Sequence, residues 1–211
     1  MSSSCFERQR RGAGSGLLFV IAGPSGAGKD TLIDGAMSRL PHLAHSISHT
    51  TRAPRPGEID GTHYFFLSIE RFLREIEENE FLEHAVYVGD HYGTSRTHVQ
   101  SLIAEGNDVL LDIDVQGAAI LREADLSGCQ VVTVFVMPST LAQLGERLRC
   151  RGSDSEEKIR RRLETAEEEV KRIPEYDYLV INNQLDDAVA EVCGIIVAER
   201  ARVVRPTTAC R

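Results

Sequence analysis

The sequence predicts an α/β domain built on a mainly parallel sheet, and three observations carry that expectation. A continuous apolar run, LLFVIA at 17–22, ends on a glycine-rich loop, GPSGAGKDTL at 23–32. Further apolar runs stand at Val109–Ile113, Val131–Met137 and Tyr178–Ile181. Stretches with helical patterning separate them, and strands that alternate with helices favour parallel pairing through crossover connections. With 211 residues, 42% of them hydrophobic, the chain can bury the core of one compact domain.

Taken in order, residues 1–16 hold basic and small residues with no apolar run behind them, so they read as a flexible tail rather than a signal or membrane segment. Leu17–Ala22 is apolar at every position, as a strand covered on both faces requires. The helix after the loop is expected to start near Lys29 and to end before Pro41. Ser46–Arg96 is rich in Thr, Arg, Pro, Gly and aromatics, with β-like pieces around Tyr64–Leu67 and a helix around Ile69–Asn79; it reads as a small α+β insertion, about 46–96. VLLDID, 109–114, is a strand that delivers Asp112 and Asp114 together at its C-terminal end, where ligands gather in open α/β sheets.

Arg149–Leu163, RCRGSDSEEKIRRRL, carries arginines at both ends and acids between. It reads either as a solvated helix with i,i+4 ion pairs or as a mobile lid, about 149–163, that brings arginines to a polyphosphate. Leu185, Val189, Val192 and Ile196 recur at helical spacing and predict an amphipathic helix packed on the sheet. The domain is expected to span 17–197, with 198–211 as a tail.

A net charge of −8 argues against a general binder of nucleic acid or anionic membranes, which leaves locally gathered arginines as the informative cations. The five cysteines are scattered, with no C-x-x-C pair, and point to a reduced, cytoplasmic protein without structural zinc.

Gly23, Pro24, Ser25, Gly26, Ala27, Gly28 and Lys29 match the phosphate-binding pattern G-x-x-x-x-G-K-[ST] up to its last position, where Asp30 replaces the hydroxyl and Thr31 follows. Such a loop between strand and helix aims backbone N–H groups and the helix N-terminus at phosphate oxygens. A carboxylate is itself a hard donor for magnesium, so Asp30 is expected to be a metal ligand, directly or through water, with Asp112 as the second.

From SISHTTRAPRPGEIDGTHYFF at 46–66 onward, the chain resembles guanylate kinases, which phosphorylate GMP with ATP; the likeness continues through FLEHAVYVGDHYGTS, LLDIDVQGA, RGSDSEEKIRRRL and YDYLVINN. It implies a P-loop nucleoside monophosphate kinase fold with a parallel core sheet, a GMP-binding insertion and a helical lid. Carried over by position, it sets the GMP phosphate against Arg52, Arg55, Tyr64 and Tyr92, counts Glu58 of the TTRAPRPGE stretch among the GMP-binding residues, and sets guanine against Ser48, Glu83 and Thr94. Asp112 and Asp114 come near nucleotide and metal. Arg147, Arg151 and Arg162 match lid arginines, which with Lys29 and Arg52 would offset charge on the passing phosphoryl group. Asn182 matches a position near adenine, followed by Asn183 where the family often has Asp. The implied partners are ATP and GMP, with magnesium, in a monomer or homodimer. Two rivals remain open: a ribose 1,5-bisphosphate kinase, which also carries Asp after the loop lysine, and a non-catalytic guanylate-kinase-like binding module.

Overall fold

The computed structural model describes residues 16–87, 89–123, 129–150 and 155–203. Its centre is β1 (Leu17–Ala22), no residue of which is more than 1% exposed. The alternation of a strand explains the unbroken apolar run. Leu17, Phe19 and Ile21 enter one core, with α1 (Lys29–Arg39) and α7 (Leu185–Ala201); Leu18, Val20 and Ala22 enter another, with α3 (Arg96–Ala104) and α4 (Val115–Glu123).

Around β1 lie β2 (Leu43–His45), β7 (Asp108–Asp112), β8 (Gln130–Met137) and β9 (Tyr178–Ile181), in the order β2-β7-β1-β8-β9 with every pair parallel. Because β1 sits between β7 and β8, the loop that follows it opens at the C-terminal edge of the sheet, where connections diverge to either side. The three later apolar runs all form strands, as the sequence predicts. The short edge strand β2 carries too few residues to show a pattern.

The insertion is richer in strand than its sequence suggests. β3 (His49–Thr50), β4 (Phe65–Phe66), β5 (Phe81–Tyr87) and β6 (Asp90–Ser95) form a second sheet in the order β4-β3-β6-β5. Ser68 caps α2 (Ile69–Glu77) by accepting from the Arg71 N–H, and Phe72 of that helix stacks on Phe81 with centroids 4.5 Å apart. The β5–β6 ladder slips by one residue between Phe81 and Glu83. Such a bulge re-aims side chains: Leu82 enters the main core while Glu83 pairs with Thr94.

Three boundaries differ from expectation. The described residues of the charged segment fall at the end of α5 (Leu141–Cys150) and in the first part of α6 (Glu156–Val170), which runs well past Leu163 because Ile159, Leu163 and Ala166 pack on Leu144 and Leu148. Its outer face carries the expected i,i+4 pairs, Arg161 with Glu157 and Arg160 with Glu164. Helix α7 continues to Ala201, beyond the expected limit at 197; Val189, Val192 and Ile196 are buried but Leu185, at its first turn, is 45% exposed. Asp114 lies outside β7, so it does not share a strand face with Asp112; its Oδ1 accepts from the Gly117 N–H and caps α4. Residues 1–15 and 204–211 of the tails, and Arg151, lie outside the described residues.

Candidate active site

The loop after β1 turns through backbone angles that only glycine adopts freely. Gly23 has φ 141°, and a Cβ there would meet the Val136 carbonyl oxygen at 2.1 Å. Gly28, at φ 90°, is the N-cap of α1, and a Cβ there would strike the Asn182 amide at 2.6 Å. Lys29 opens the helix and folds back over the loop. Its Nζ donates to the Gly23 carbonyl at 3.0 Å and lies 3.6 Å from Asp112 Oδ1. Ala27 is buried and closes the turn by donating to the Pro24 carbonyl at 3.0 Å.

A single cleft joins this loop to the insertion. Gly23, Ser25, Gly26, Gly28, Lys29, Asp30, Asp112 and Asp114 line one side; Ser48, Arg52, Arg55, Tyr64, Glu83 and Tyr92 line the other, and Arg162 and Glu169 reach it from α6. Many of the residues singled out from the sequence thus line one cleft, while Thr31, Arg147 and Asn182 do not. Glu169 was not predicted: it sits in an acidic helix where nothing in the local pattern separates it from Glu167 or Glu168.

Carboxylates crowd the loop side. Burial pushes Asp112 up to about 7 against the pull of Lys29, and a hydrogen bond with Asp30 adds to the rise. Glu169 is likewise pushed up to about 7, first by burial, with Lys29 opposing and Asp114 contributing. Two carboxylates in hydrogen-bonding contact need a shared proton or a cation between them. Magnesium is held by one or two carboxylates together with phosphate oxygens and water, so the Asp30–Asp112 pair fits it. Among the described residues no group of three or more His, Cys, Asp or Glu is arranged to enclose an ion.

On the opposite wall, both terminal nitrogens of Arg52 donate to Glu58, at 2.9 and 2.8 Å, and Glu58 also accepts from the Arg55 backbone N–H at 2.6 Å. Glu58, expected among the GMP-binding residues, therefore spends both oxygens on the arginine segment and serves to hold Arg52. The pairing lowers the Glu58 carboxyl below its ordinary range and raises Arg52 further above neutrality. The Arg52 guanidinium centre lies 5.3 Å from the Tyr64 ring and 5.8 Å from the Phe66 ring, geometries in which cation and π-face attract. Burial, with Asp112 and Asp30 adding to it, pushes Tyr64 up to about 12, so its hydroxyl keeps its proton and remains a donor.

Deeper in, Thr94 is fully buried behind Glu83 and donates to Glu83 Oε1 at 2.6 Å. Glu83 is 5% exposed, and burial pushes it up to about 7. The arrangement presents one carboxyl group, fixed on one oxygen, to whatever enters this end of the cleft.

A second hollow on the other side of the loop is lined by Gly26, Gly28, Thr31, Arg147, Cys150, Asn182 and Asn183. Thr31 thus points away from Asp30, as adjacent helix positions about 100° apart must. Asn182, expected near adenine, is only 5% exposed and spends its amide on the loop itself: Nδ2 donates to the Ala27 carbonyl at 2.8 Å. Arg147 donates to the same carbonyl at 3.3 Å and to the Asn182 carbonyl at 2.6 Å. Both residues brace the phosphate loop from below. Among the described residues Cys129, Cys150 and Cys193 are free thiols; Cys5 and Cys210 lie outside the described residues.

Comparison with known proteins agrees with this geometry. The guanylate kinase family profile matches residues 15–199. The chain is 45% identical over 190 residues to the guanylate kinase of Desulfitobacterium hafniense (strain Y51), covering 90% of this chain and 94% of that one. It is 47% identical over 190 residues to that of Idiomarina loihiensis, covering 89% of each. The crystal structure of guanylate kinase from Anaplasma phagocytophilum superposes with a TM-score of 0.71 at 30% identity, covering 89% of this chain and 88% of that one. The parallel sheet, the insertion, the helical arm and these matches together make the chain a member of the guanylate kinase family.

Proposed function

We propose that this chain transfers the γ-phosphoryl group of ATP to GMP, yielding ADP and GDP, with magnesium as cofactor. The observation that carries the reading is the single cleft in which the Lys29 loop faces Arg52, Arg55, Tyr64, Tyr92 and Glu83. In-line phosphoryl transfer needs two anions brought end to end and their charge offset; it needs no covalent intermediate. Gly23–Thr31 and Lys29 hold the donor phosphates, and the arginine forks with the tyrosine hydroxyls hold the acceptor phosphate. An oxygen of that phosphate attacks the γ-phosphorus, the bond to the ADP oxygen breaks, and Lys29, Arg52 and Arg162 offset the spreading charge. The attacking oxygen is already anionic, so no general base is required. Asp30 and Asp112 would hold magnesium, which supplies further charge neutralisation at the phosphates when bound.

At the far end, guanine offers N1–H and an exocyclic amine as neighbouring donors, and adenine has no donor at N1. Glu83, steadied by Thr94 and accompanied by Ser48, is suited to accept them. That pairing disfavours ribose 1,5-bisphosphate as acceptor despite Asp30, and the retained Lys29, Arg147 and Arg162 disfavour a purely binding module. No helix among the described residues is long and apolar enough to cross a membrane. We place the protein in the cytoplasm, as a monomer or homodimer with ATP and GMP as its partners rather than nucleic acid or a membrane. A coupled assay with ATP and magnesium, offered GMP, AMP, UMP or ribose 1,5-bisphosphate in turn, should give rapid ADP production with GMP alone. Faster turnover of the bisphosphate than of GMP would overturn the reading.

A further inference from the structure

Glu83 can lie where it does only because of a residue on another element. The third residue of α4 is Gly117, and a Cβ built on it would sit 2.6 Å from Glu83 Oε2 and 3.1 Å from Glu83 Cδ. Nothing in the helix itself calls for glycine at this position. Its backbone is not in the left-handed region, its N–H is already engaged by Asp114 Oδ1 at 2.7 Å, and glycine inside a helix costs about 0.5–1 kcal/mol relative to alanine. The vacancy is filled instead by a carboxylate. Thr94 fixes one oxygen of Glu83 at 2.6 Å from the strand side, and the bare Cα of Gly117 lets the other settle against the first turn of the helix.

We infer that Gly117 is a positioning residue for acceptor selectivity, which sets the depth and direction of the Glu83 carboxylate by having no side chain. The inference rests on the reading of Glu83 as the group that recognises guanine. A carbon and an oxygen approach no closer than about 3.3 Å, so a methyl group at 117 would push Oε2 by about 0.7 Å. Glu83 is flanked by buried Thr94 and Leu82, and the displaced carboxylate either gives up the threonine bond or moves into the cleft. The group that yields is the far end of a flexible side chain, so the fold tolerates the change while the recognition geometry does not.

The test compares Gly117→Ala, Glu83→Ala and the double variant in the full-length protein, reading the KM for GMP, the KM for ATP and the melting temperature. Gly117→Ala should raise the KM for GMP roughly tenfold, the loss expected when a charged hydrogen bond is misaligned, with the ATP KM and melting temperature unchanged or slightly improved. Added to Glu83→Ala it should do nothing more. A GMP KM within twofold of wild type, beside a Glu83→Ala variant that is strongly impaired, would overturn this inference and leave the guanine reading standing. A further loss on the Glu83→Ala background, or a melting temperature lowered by several degrees, would overturn it by assigning Gly117 to packing. Should Glu83→Ala leave the KM for GMP unchanged, the guanine reading itself falls and this inference with it.

Discussion

Glu83→Gln should make the protein more stable and less selective at once, and the size of the stability change should depend on pH. In the folded chain burial raises the Glu83 carboxyl from its ordinary 4.5 to about 7; the Thr94 hydroxyl opposes the rise and Asp114 adds to it. The folded state therefore binds this proton more tightly than the unfolded state. Between about pH 4.5 and 7 the folded chain carries the extra proton, so stability falls as the pH rises; the contribution is whole at the acid end and lost above about 7. At roughly 1.4 kcal/mol for each pH unit, the span corresponds to about 3 kcal/mol at pH 8 and a little under 1 kcal/mol at pH 5. Glutamine fills the same space and can still accept from Thr94 without carrying charge. Urea unfolding of wild type and variant at pH 5 and pH 8, without nucleotide, measures the difference. The variant should gain about 3 kcal/mol at pH 8 and much less at pH 5, while its KM for GMP rises roughly tenfold to a hundredfold from the loss of a charged acceptor. An equal stability difference at the two pH values would refute the claim that a buried charge on Glu83 is what the protein tolerates.

Two further substitutions address the loop. Asp30→Ser should tighten binding of metal-free ATP, because a carboxylate beside phosphate repels it unless a cation intervenes, and should shrink the gain that magnesium brings; titrations at fixed ionic strength check this, and identical magnesium dependence in the two proteins would remove Asp30 from the metal. Asn182→Ala leaves the Ala27 carbonyl with only the longer bond from Arg147 and should cost about 1–2 kcal/mol in urea unfolding while raising the KM for ATP more than that for GMP. An ATP KM that stays put would mean that the loop does not need this brace.

Much of this molecule could be read before its coordinates, and the exceptions have physical causes. The central strands were visible because both their faces are covered, so Leu17–Ala22 has no polar residue and Val131–Met137 has only Thr133, whereas the short edge strand β2 left no pattern. β5 and β6 were not seen as strands, because Glu83, Ala85, Tyr92 and Gly93 line a polar cleft and the bulge between Phe81 and Glu83 breaks the alternation on which recognition depends. Lys29 could be proposed from the spacing of the glycine loop, and Arg52 only from the family resemblance of the TTRAPRPGE stretch. Glu169 could not, since its place in the cleft follows from how α6 packs through Ile159 and Ala166. Asn182 and Glu58 carried no sign in the sequence of their partners in the protein: the Asn182 amide donates to the Ala27 carbonyl, and Glu58 accepts from Arg52. Which atom a side chain touches is decided by neighbours distant in sequence, and no local pattern encodes that.

The tether on Lys29 bears on how quickly the donor site can be engaged. An ammonium group has three N–H donors, and here one is committed to the Gly23 carbonyl while Asp112 draws the charge from 3.6 Å away. The long side chain has thus surrendered most of its rotational freedom, and part of its hydration shell, during folding. An incoming triphosphate meets a cation already aimed, and binding becomes an exchange of partners around a fixed nitrogen rather than the capture of a swinging one.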